Sequence, residues 1–251
     1  MYQQLKGKVA LITGGRRMGA AIAQALSAAG VDVVFSYQRS AAEFEEVKKI
    51  CERAGTRCLF VPLDVTQPAQ ITAAVQQVTA ALGRLDIFIH MASLFVRRPL
   101  LEISKQHFTK ELDVHAVSAL LLAQAVVPLM RTHQWGRIIH VTDWTVDAGR
   151  PGYTADGYLP YYVGKGALHY VTQALAVELA KDNITVNEIA PGPMLPPRDM
   201  PPEEIERIAK YTPQGRWGSA EDIAQAMLYF LQDDSFVTGE TLRINGGRHL
   251  T

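Results

Sequence analysis

The chain has 251 residues, 48% of them hydrophobic and 20% charged, so it can build a large core and lacks the composition of a disordered protein. Lysine and arginine number 25, as do aspartate and glutamate, so the formal net charge is zero. A chain without a basic surplus is not expected to bind nucleic acid or an acidic membrane surface. Its only cysteines, Cys51 and Cys58, have neither metal-site nor redox-motif spacing, which predicts a cytoplasmic protein without a metal.

The sequence pattern predicts no signal peptide and no membrane-spanning segment. Residues 1–8 contain no apolar run of the kind found in signal peptides. The most apolar stretch, residues 119–130, is too short to span a bilayer.

The first predicted unit is a buried strand at residues 9–12, a glycine turn, and an alanine-rich helix at residues 18–29. A strand, turn and helix in this order gather free N–H groups and a helix N-terminus around one point, which suits a dinucleotide pyrophosphate. The glycines do not fit the G-x-G-x-x-G pattern, so a turn that binds no nucleotide stays an alternative.

Strands and helices alternate along the remaining chain. Further strands are predicted at residues 31–35, 58–61, 85–90, 137–142, 185–189 and 240–244, and further helices at residues 41–54, 70–82, 108–130, 161–181 and 219–231. This alternation predicts an α/β fold, namely a single-domain Rossmann-type doubly wound parallel sheet with helices on both faces, over residues 1–251. The least regular segment, residues 191–216, follows the carboxyl end of a strand and is either a lid or a plain surface loop.

Tyr161 and Lys165 are the pair most suggestive of catalysis. Four residues apart at the start of a predicted helix, they share one face of it. A phenol with its ordinary pKa of about 10 is a poor proton donor at neutral pH, and a nearby ammonium lowers that pKa. The pair therefore predicts acid–base catalysis by Tyr161 with Lys165 as its electrostatic partner.

The whole chain resembles the short-chain dehydrogenase/reductase family. The glycine turn, Asp64-Val65 after strand three, the Tyr161–Lys165 pair, Asn187, and Pro191-Gly192 after strand six stand in that family's order. The resemblance implies that Tyr161 transfers the proton, that Lys165 binds the nicotinamide ribose and lowers the pKa of Tyr161, and that Asp64 contacts adenine.

Departures from the family pattern narrow the resemblance. Arg17 replaces the middle glycine of the turn, and residues 90–93 read HMAS. His115 replaces the asparagine that relays protons in the family. Asp143 replaces the catalytic serine, and Thr142 is a weaker alternative for that position. Together with the GGRHL ending, these features are similar to pteridine reductases, especially bacterial dihydromonapterin reductases. A homotetramer built on the helices at residues 108–130 and 161–181 is implied, with Arg248 reaching a neighbouring pocket.

The resemblance assigns three sets of residues. The catalytic set is Tyr161, Lys165, Asp143 and His115. The cofactor-binding set is Gly14, Arg16, Arg17, Met18, Gly19, Tyr37, Arg39, Ser40, Asp64, Val65, Met91, Ala92, Ser93, Tyr161, Lys165, Pro191 and Gly192. The substrate-binding set is Arg17, Ser93, Phe95, Asp143, Tyr161, Pro193 and Met194. Three plainer roles stay open: Phe95 as ordinary core, Asp143 as a turn carboxylate, and His115 as a hydrogen-bonded buried histidine.

The residues after strand two favour NADPH as cofactor. NAD-specific sites place an acidic residue there, for the ribose 2′-hydroxyl. Here the position is Ser36 or Tyr37, with Arg39 and Ser40 next and Arg16 in the first turn, and such basic and hydroxyl groups suit a 2′-phosphate.

The sequence thus predicts an NADPH-dependent reductase of a dihydropterin: dihydromonapterin, dihydrobiopterin or dihydrofolate. Phe95 would stack on the flat pterin, because aromatic faces pack well against flat rings. The alternatives are a reductase of ketones or 3-oxoacyl thioesters and a non-enzymatic NADP-binding redox-sensing module. Two features depart from the analogy: the glycine turn is one residue shorter than is usual, and the long separation of Asp143 from Tyr161 predicts an insertion at residues 150–156.

Overall fold

A seven-stranded parallel sheet organises the protein, with strand order β3-β2-β1-β4-β5-β6-β7. The computed structural model describes residues 2–15, 17–38, 45–146, 157–233 and 235–251. The strands are β1 (Val9–Gly14), β2 (Asp32–Tyr37), β3 (Cys58–Pro62), β4 (Ile87–Met91), β5 (Gly136–Val141), β6 (Ile184–Pro191) and β7 (Thr241–Ile244). The order reverses between β1 and β4, and ligands of open α/β sheets bind at such a switch point.

Helices cover both faces of the sheet. They are α1 (Gly19–Ala28), α2 (Glu45–Ala54), α3 (Pro68–Leu82), α4 (Lys105–Leu112), α5 (Ser118–Thr132), α6 (Leu159–Leu179), α7 (Pro202–Lys210) and α8 (Ala220–Phe230). The predicted doubly wound parallel sheet is confirmed.

Alternate residues of the strands supply two hydrophobic cores. In β1, Ile12 packs into the core under α1 and α8, whereas Leu11 packs into the core under α3 and α5. Both faces are apolar because successive strand side chains point to opposite sides and each side carries helices. The strands are therefore packed between helices on both faces, and the loops that follow them start from well-packed positions at their carboxyl ends.

One turn of π-helix, Asp113–Val117, joins α4 to α5 where the sequence predicts an uninterrupted helix. In this turn the Ser118 N–H donates to the Asp113 carbonyl, five residues back, so one extra residue is accommodated. The continuous segment Lys105–Thr132 is long and apolar enough to cross a membrane by length and composition alone. Half of its most apolar window is buried inside the structure, as in a core helix of a globular protein.

The prediction of an irregular segment at residues 191–216 was wrong in part, because this segment contains α7. Pro202 begins the helix, Glu203 and Glu204 lie in its first turn, and Arg207 and Lys210 lie in its last. Each of these placements favours a helix through the fixed proline φ and the helix dipole. Part of the predicted helix at 41–54 (residues 41–44) and the predicted insertion at 150–156 lie outside the described residues.

Candidate active site

The glycine turn after β1 lies against the end of β4. A Cβ on Gly14 would sit 2.9 Å from the Met91 carbonyl oxygen, and the φ of Gly14 is +72°, so only glycine fits here. His90 holds the same junction: its Nδ1 lies 2.8 Å from Thr13 Oγ1, and its Nε2 lies 3.2 Å from Ser118 Oγ. Burial lowers the pKa of His90 to about 3, so this ring is a neutral structural link.

A cavity of about 620 Å³ opens at this switch point. Its walls include five residues of the predicted cofactor set: Gly14, Asp64, Val65, Ala92 and Ser93. The cradle formed by Gly14 against β4 and the size of the cavity both fit a dinucleotide.

Asp64 forms the polar wall of the cavity. Its carboxylate accepts bonds from the Thr66 N–H at 2.9 Å, the Thr66 hydroxyl at 2.7 Å and the Gln38 amide at 3.0 Å. Burial acts to raise the pKa of Asp64, but these bonds and the Lys110 charge outweigh it, and the pKa lies below its usual range. Asp64 is therefore an ionised acceptor.

Tyr161 and Asp143 are in direct contact. The Tyr161 hydroxyl donates to Asp143 Oδ2 at 2.8 Å. The other carboxyl oxygen accepts from the Thr145 N–H at 2.9 Å and the Thr145 hydroxyl at 2.6 Å. Asp143 is thus both a turn carboxylate and the partner of Tyr161. The alternative, Thr142, instead donates to the Ile189 carbonyl.

Lys165 lies one turn further along α6 and is buried. Its ammonium donates to the Val141 carbonyl at 2.7 Å and lies 5.9 Å from the Tyr161 ring centroid. Burial lowers the pKa of Lys165 to about 8, although Asp143, Glu111 and Glu188 act in the opposite direction. A positive charge so close to a phenol favours the phenolate.

Phe95 is 56% exposed, which excludes a core role. Its ring stacks on Tyr158 with centroids 4.2 Å apart and an interplanar angle of 11°, and it meets Tyr161 edge-on at 4.8 Å. Phe95 and Tyr158 therefore form an aromatic wall beside the Tyr161 ring. Sequence reasoning missed Tyr158, although its position three residues before Tyr161 could have suggested it.

His115 lies in the π-turn and anchors the loop that carries Phe95. Its Nε2 lies 3.0 Å from Ser93 Oγ and accepts from the Leu94 N–H at 3.3 Å. Burial and the Lys165 charge lower the pKa of His115 to about 2, so the ring is neutral. It meets Tyr161 edge-on with centroids 5.5 Å apart.

Arg17 joins the glycine turn to the loop after β6. Its guanidinium donates to the Leu195 carbonyl and, at 3.0 Å, to the Pro196 carbonyl. Pro193 and Met194 line a second cavity of about 280 Å³ beside the C-terminal residues. Among the described residues, the walls of the cavity at the switch point include neither these two nor Tyr161, Lys165 and Asp143.

The other predicted residues occupy varied positions. Tyr37, Met91 and Pro191 end β2, β4 and β6, while Met18 and Gly19 begin α1. Gly192 is pressed against Asn245, with 2.6 Å from its ideal Cβ position to the Asn245 Cβ. Arg248 stacks over Tyr211 with 5.6 Å to the ring centroid. Arg16, Arg39 and Ser40 lie outside the described residues.

Asn187 has a structural role. Its side-chain amide donates to the Val237 carbonyl at 2.9 Å, and its side-chain oxygen accepts from the Glu240 N–H at 3.0 Å. These bonds hold the approach to β7 against β6.

Comparison with known proteins assigns the family. Residues 14–249 match the adh_short_C2 family, described as enoyl-(acyl carrier protein) reductase. The chain is 30% identical over 249 residues to the 3-oxoacyl-(acyl-carrier-protein) reductase FabG of Escherichia coli, covering 98% of each chain. The chain is a short-chain dehydrogenase/reductase. This oxidoreductase is also 30% identical to a 2-dehydro-3-deoxy-D-gluconate 5-dehydrogenase of Formosa agariphila, over 97% of this chain and 93% of the relative.

A solved structure agrees with this assignment. The solved structure of a double mutant of a Serratia marcescens short-chain dehydrogenase/reductase superposes on this chain with a TM-score of 0.87. The two sequences are 31% identical, and the match covers 98% of this chain and 99% of the other. Family membership assigns a nicotinamide cofactor, which the cavity at the switch point fits.

Proposed function

We propose that this chain is an NADPH-dependent reductase of a carbonyl group, in a ketone or a 3-oxoacyl thioester. The observation that carries the proposal is the Tyr161 hydroxyl, a proton donor hydrogen-bonded to Asp143, with the buried Lys165 ammonium 5.9 Å from its ring centroid. The names of two relatives, a 3-oxoacyl reductase and a 2-dehydro-3-deoxy-D-gluconate dehydrogenase, support a carbonyl substrate.

The bound nicotinamide would supply the hydride, and Gly14, Asp64 and Ser93 would hold the cofactor. Tyr161 donates its hydroxyl proton to the substrate oxygen as negative charge develops there. Lys165 stabilises the phenolate that remains, because its buried ammonium is poorly screened. Without substrate the Tyr161 hydroxyl donates to Asp143 at 2.8 Å, so the hydroxyl must turn from Asp143 to the substrate oxygen before the proton is transferred.

NADPH rather than NADH is supported by the residues around the end of β2. Ser36 lines the cavity where an acidic residue would bind the 2′-hydroxyl of NAD, and Arg39 follows in the sequence. An arginine and a hydroxyl suit a 2′-phosphate, since both donate to its oxygens.

Reduction of a dihydropterin is the second candidate, and Asp143 is the observation that favours it. A serine at this position could donate to a carbonyl oxygen, whereas a carboxylate only accepts. An acceptor suits a substrate with N–H groups, and the aromatic wall of Phe95 and Tyr158 suits a flat ring. The names of the relatives support the carbonyl substrate instead.

NADPH oxidation, followed by absorbance, tests the two candidates directly. The panel contains a β-ketoester, a 3-oxoacyl thioester, a simple quinone, dihydropterins and dihydrofolate. Turnover of the ketoester or thioester supports the carbonyl reductase, and turnover of a pterin alone replaces it by the second candidate. Asp143→Ser is the matched variant: it should keep or raise carbonyl turnover and lower pterin turnover.

NADPH binding without turnover of any substrate would contradict both candidates. That result would favour the redox-sensing module, which needs the cofactor cavity but not Tyr161. Binding of NADPH and NADH is measured separately by cofactor fluorescence.

A homotetramer in the cytoplasm completes the proposal. On α6, Tyr170 is 70% exposed and Val177 is 83% exposed, and Leu120 on α5 is 41% exposed. Apolar side chains in such positions are typical of faces that pack against another subunit. Light scattering after size exclusion measures the assembly, and a monomer would contradict it.

A further inference from the structure

Glu111 is a buried carboxyl group on α4 that none of the roles above uses. Its side chain is 7% exposed, and its Oε2 has no hydrogen-bond partner among the residues that the structure describes. It lies one turn before His115, with 3.6 Å from its Oε2 to the His115 Nδ1, and the Glu111 backbone carbonyl also accepts from this ring and acts to raise its pKa. A buried carboxyl is costly to ionise, so its presence beside the site calls for a role.

The surroundings of His115 determine which ring nitrogen carries the proton. Nε2 accepts from the Leu94 N–H, so it bears no hydrogen. The neutral ring therefore carries its hydrogen on Nδ1, which faces the Glu111 carboxyl. A carboxylate in that position favours this tautomer, as carboxylates behind metal-bound histidines do.

The tautomer matters because Nε2 holds the loop beside the cavity. Through Nε2, His115 contacts Ser93 and Leu94, and Phe95 follows directly in the chain. With the hydrogen on Nε2 instead, two N–H donors, Nε2–H and the Leu94 N–H, would face each other, and the bond to Leu94 would be lost.

We propose that Glu111 is a positioning residue: its carboxylate keeps the hydrogen of His115 on Nδ1, and the ring thereby fixes Ser93, Leu94 and the Phe95 wall for the substrate. This inference rests on the proposed reductase function. It adds to that function a residue that acts through His115 rather than on the reacting atoms.

The charges around Glu111 set its ionisation. Burial raises the pKa of Glu111 to about 7, although Lys165 on α6, Arg98 after β4 and Lys110 on α4 all act to lower it. Around the His115 ring, Lys165 and His90 also act on its pKa, and the Tyr161 ring lies edge-on to it at 5.5 Å. The carboxylate form therefore predominates above pH 7. Below it, the protonated carboxyl has an O–H that can donate to Nδ1, which favours the other tautomer.

The direct test is ¹⁵N NMR of the His115 ring in the cofactor-free protein, which needs no substrate. Wild type should show the Nδ1–H tautomer at pH 8, and Glu111→Leu should show a mixture. Glu111→Gln keeps an oxygen acceptor and should keep the tautomer. An Nε2–H tautomer in the wild type overturns the proposal.

Kinetics separate positioning from simple damage. Glu111→Leu should raise KM for the substrate about tenfold with kcat within about twofold. Glu111→Gln should keep the wild-type KM but lose the rise of kcat/KM through pH 7. Asp113→Asn, an exposed carboxylate on the next turn, is the control and should behave as wild type.

The two failures are distinguishable. A wild-type protein that reduces no substrate but shows the Nδ1–H tautomer contradicts the proposed function and keeps the pairing of Glu111 with His115. Turnover with an unchanged KM and pH profile in Glu111→Leu keeps the function and overturns the positioning role.

Discussion

Gly164 lies between Tyr161 and Lys165 on α6, and Gly164→Ala is a sensitive test of the packing under the site. A Cβ there would lie 2.6 Å from His115 Nδ1 and 3.1 Å from the Glu111 carbonyl oxygen. Overpacking of this kind costs about 1–3 kcal/mol, whereas Gly→Ala in a helix gains about 1 kcal/mol. The variant should therefore range from nearly neutral to about 2 kcal/mol less stable.

Gly166→Ala provides the matched control, because a Cβ on Gly166 meets no atom of the described residues within 4 Å. The helix propensity gain is common to both variants and cancels in their difference. Denaturant unfolding should thus place Gly164→Ala about 1–3 kcal/mol below Gly166→Ala. In thermal unfolding each kcal/mol corresponds to about 2–4 °C for a chain of this size. Equal stabilisation of the two variants would refute the close approach of His115 to α6.

Four further predictions concern chemistry and charge. Tyr161→Phe should lower turnover by about 10²–10⁴-fold and leave NADPH binding, measured by fluorescence, unchanged; retained activity would reject Tyr161 as the proton donor. The pKa of Lys165 is lowered to about 8, so kcat/KM should fall above pH 8 as the ammonium that favours the phenolate is lost, and a flat profile would contradict this. The pKa of Glu111 is raised from 4.5 to about 7, so the folded protein loses stability as pH rises through this window; Glu111→Gln should stabilise it in urea at pH 8 but not at pH 4.5. Arg39→Ala should raise KM for NADPH more than KM for NADH, and equal effects would argue against a 2′-phosphate contact.

The order of strands and helices could be predicted because periodicity and glycine stops are local signals. The sheet of parallel strands followed from their alternation with helices. The helix α7 was overlooked because prolines dominate its surroundings, although Pro202 and the two glutamates after it are typical of a helix start. The π-turn has no such local signal, since it depends on how α4 and α5 pack against α6.

The residues of the candidate site could be predicted where their positions depend on short spacings in the sequence, and not where they depend on contacts between distant segments. Tyr161 and Lys165 share a helix face, and the structure brings both to the end of β5, where they bond to Asp143 and to the Val141 carbonyl. Glu111 and His115 have the same four-residue spacing, which could have indicated their proximity. Pro193 and Met194 line a different cavity from the one at the switch point. Their position depends on the path of the chain after β6, and no local sequence pattern indicates that path.

The π-turn at Asp113–Val117 also makes the site sensitive to chain length. Because it holds one residue more than an α-helical turn, deleting one residue there would restore a regular helix from Lys105 to Thr132. The deletion would leave α4 and α5 in phase, because the π-turn absorbs its extra residue locally, but it would remove or displace side chains inside the turn, His115 among them. A regular helix formed without a deletion would instead turn α4 by about 100° relative to α5 and rotate Glu111 away from its buried position. A shortened chain of this kind would be a better helix and a poorer enzyme.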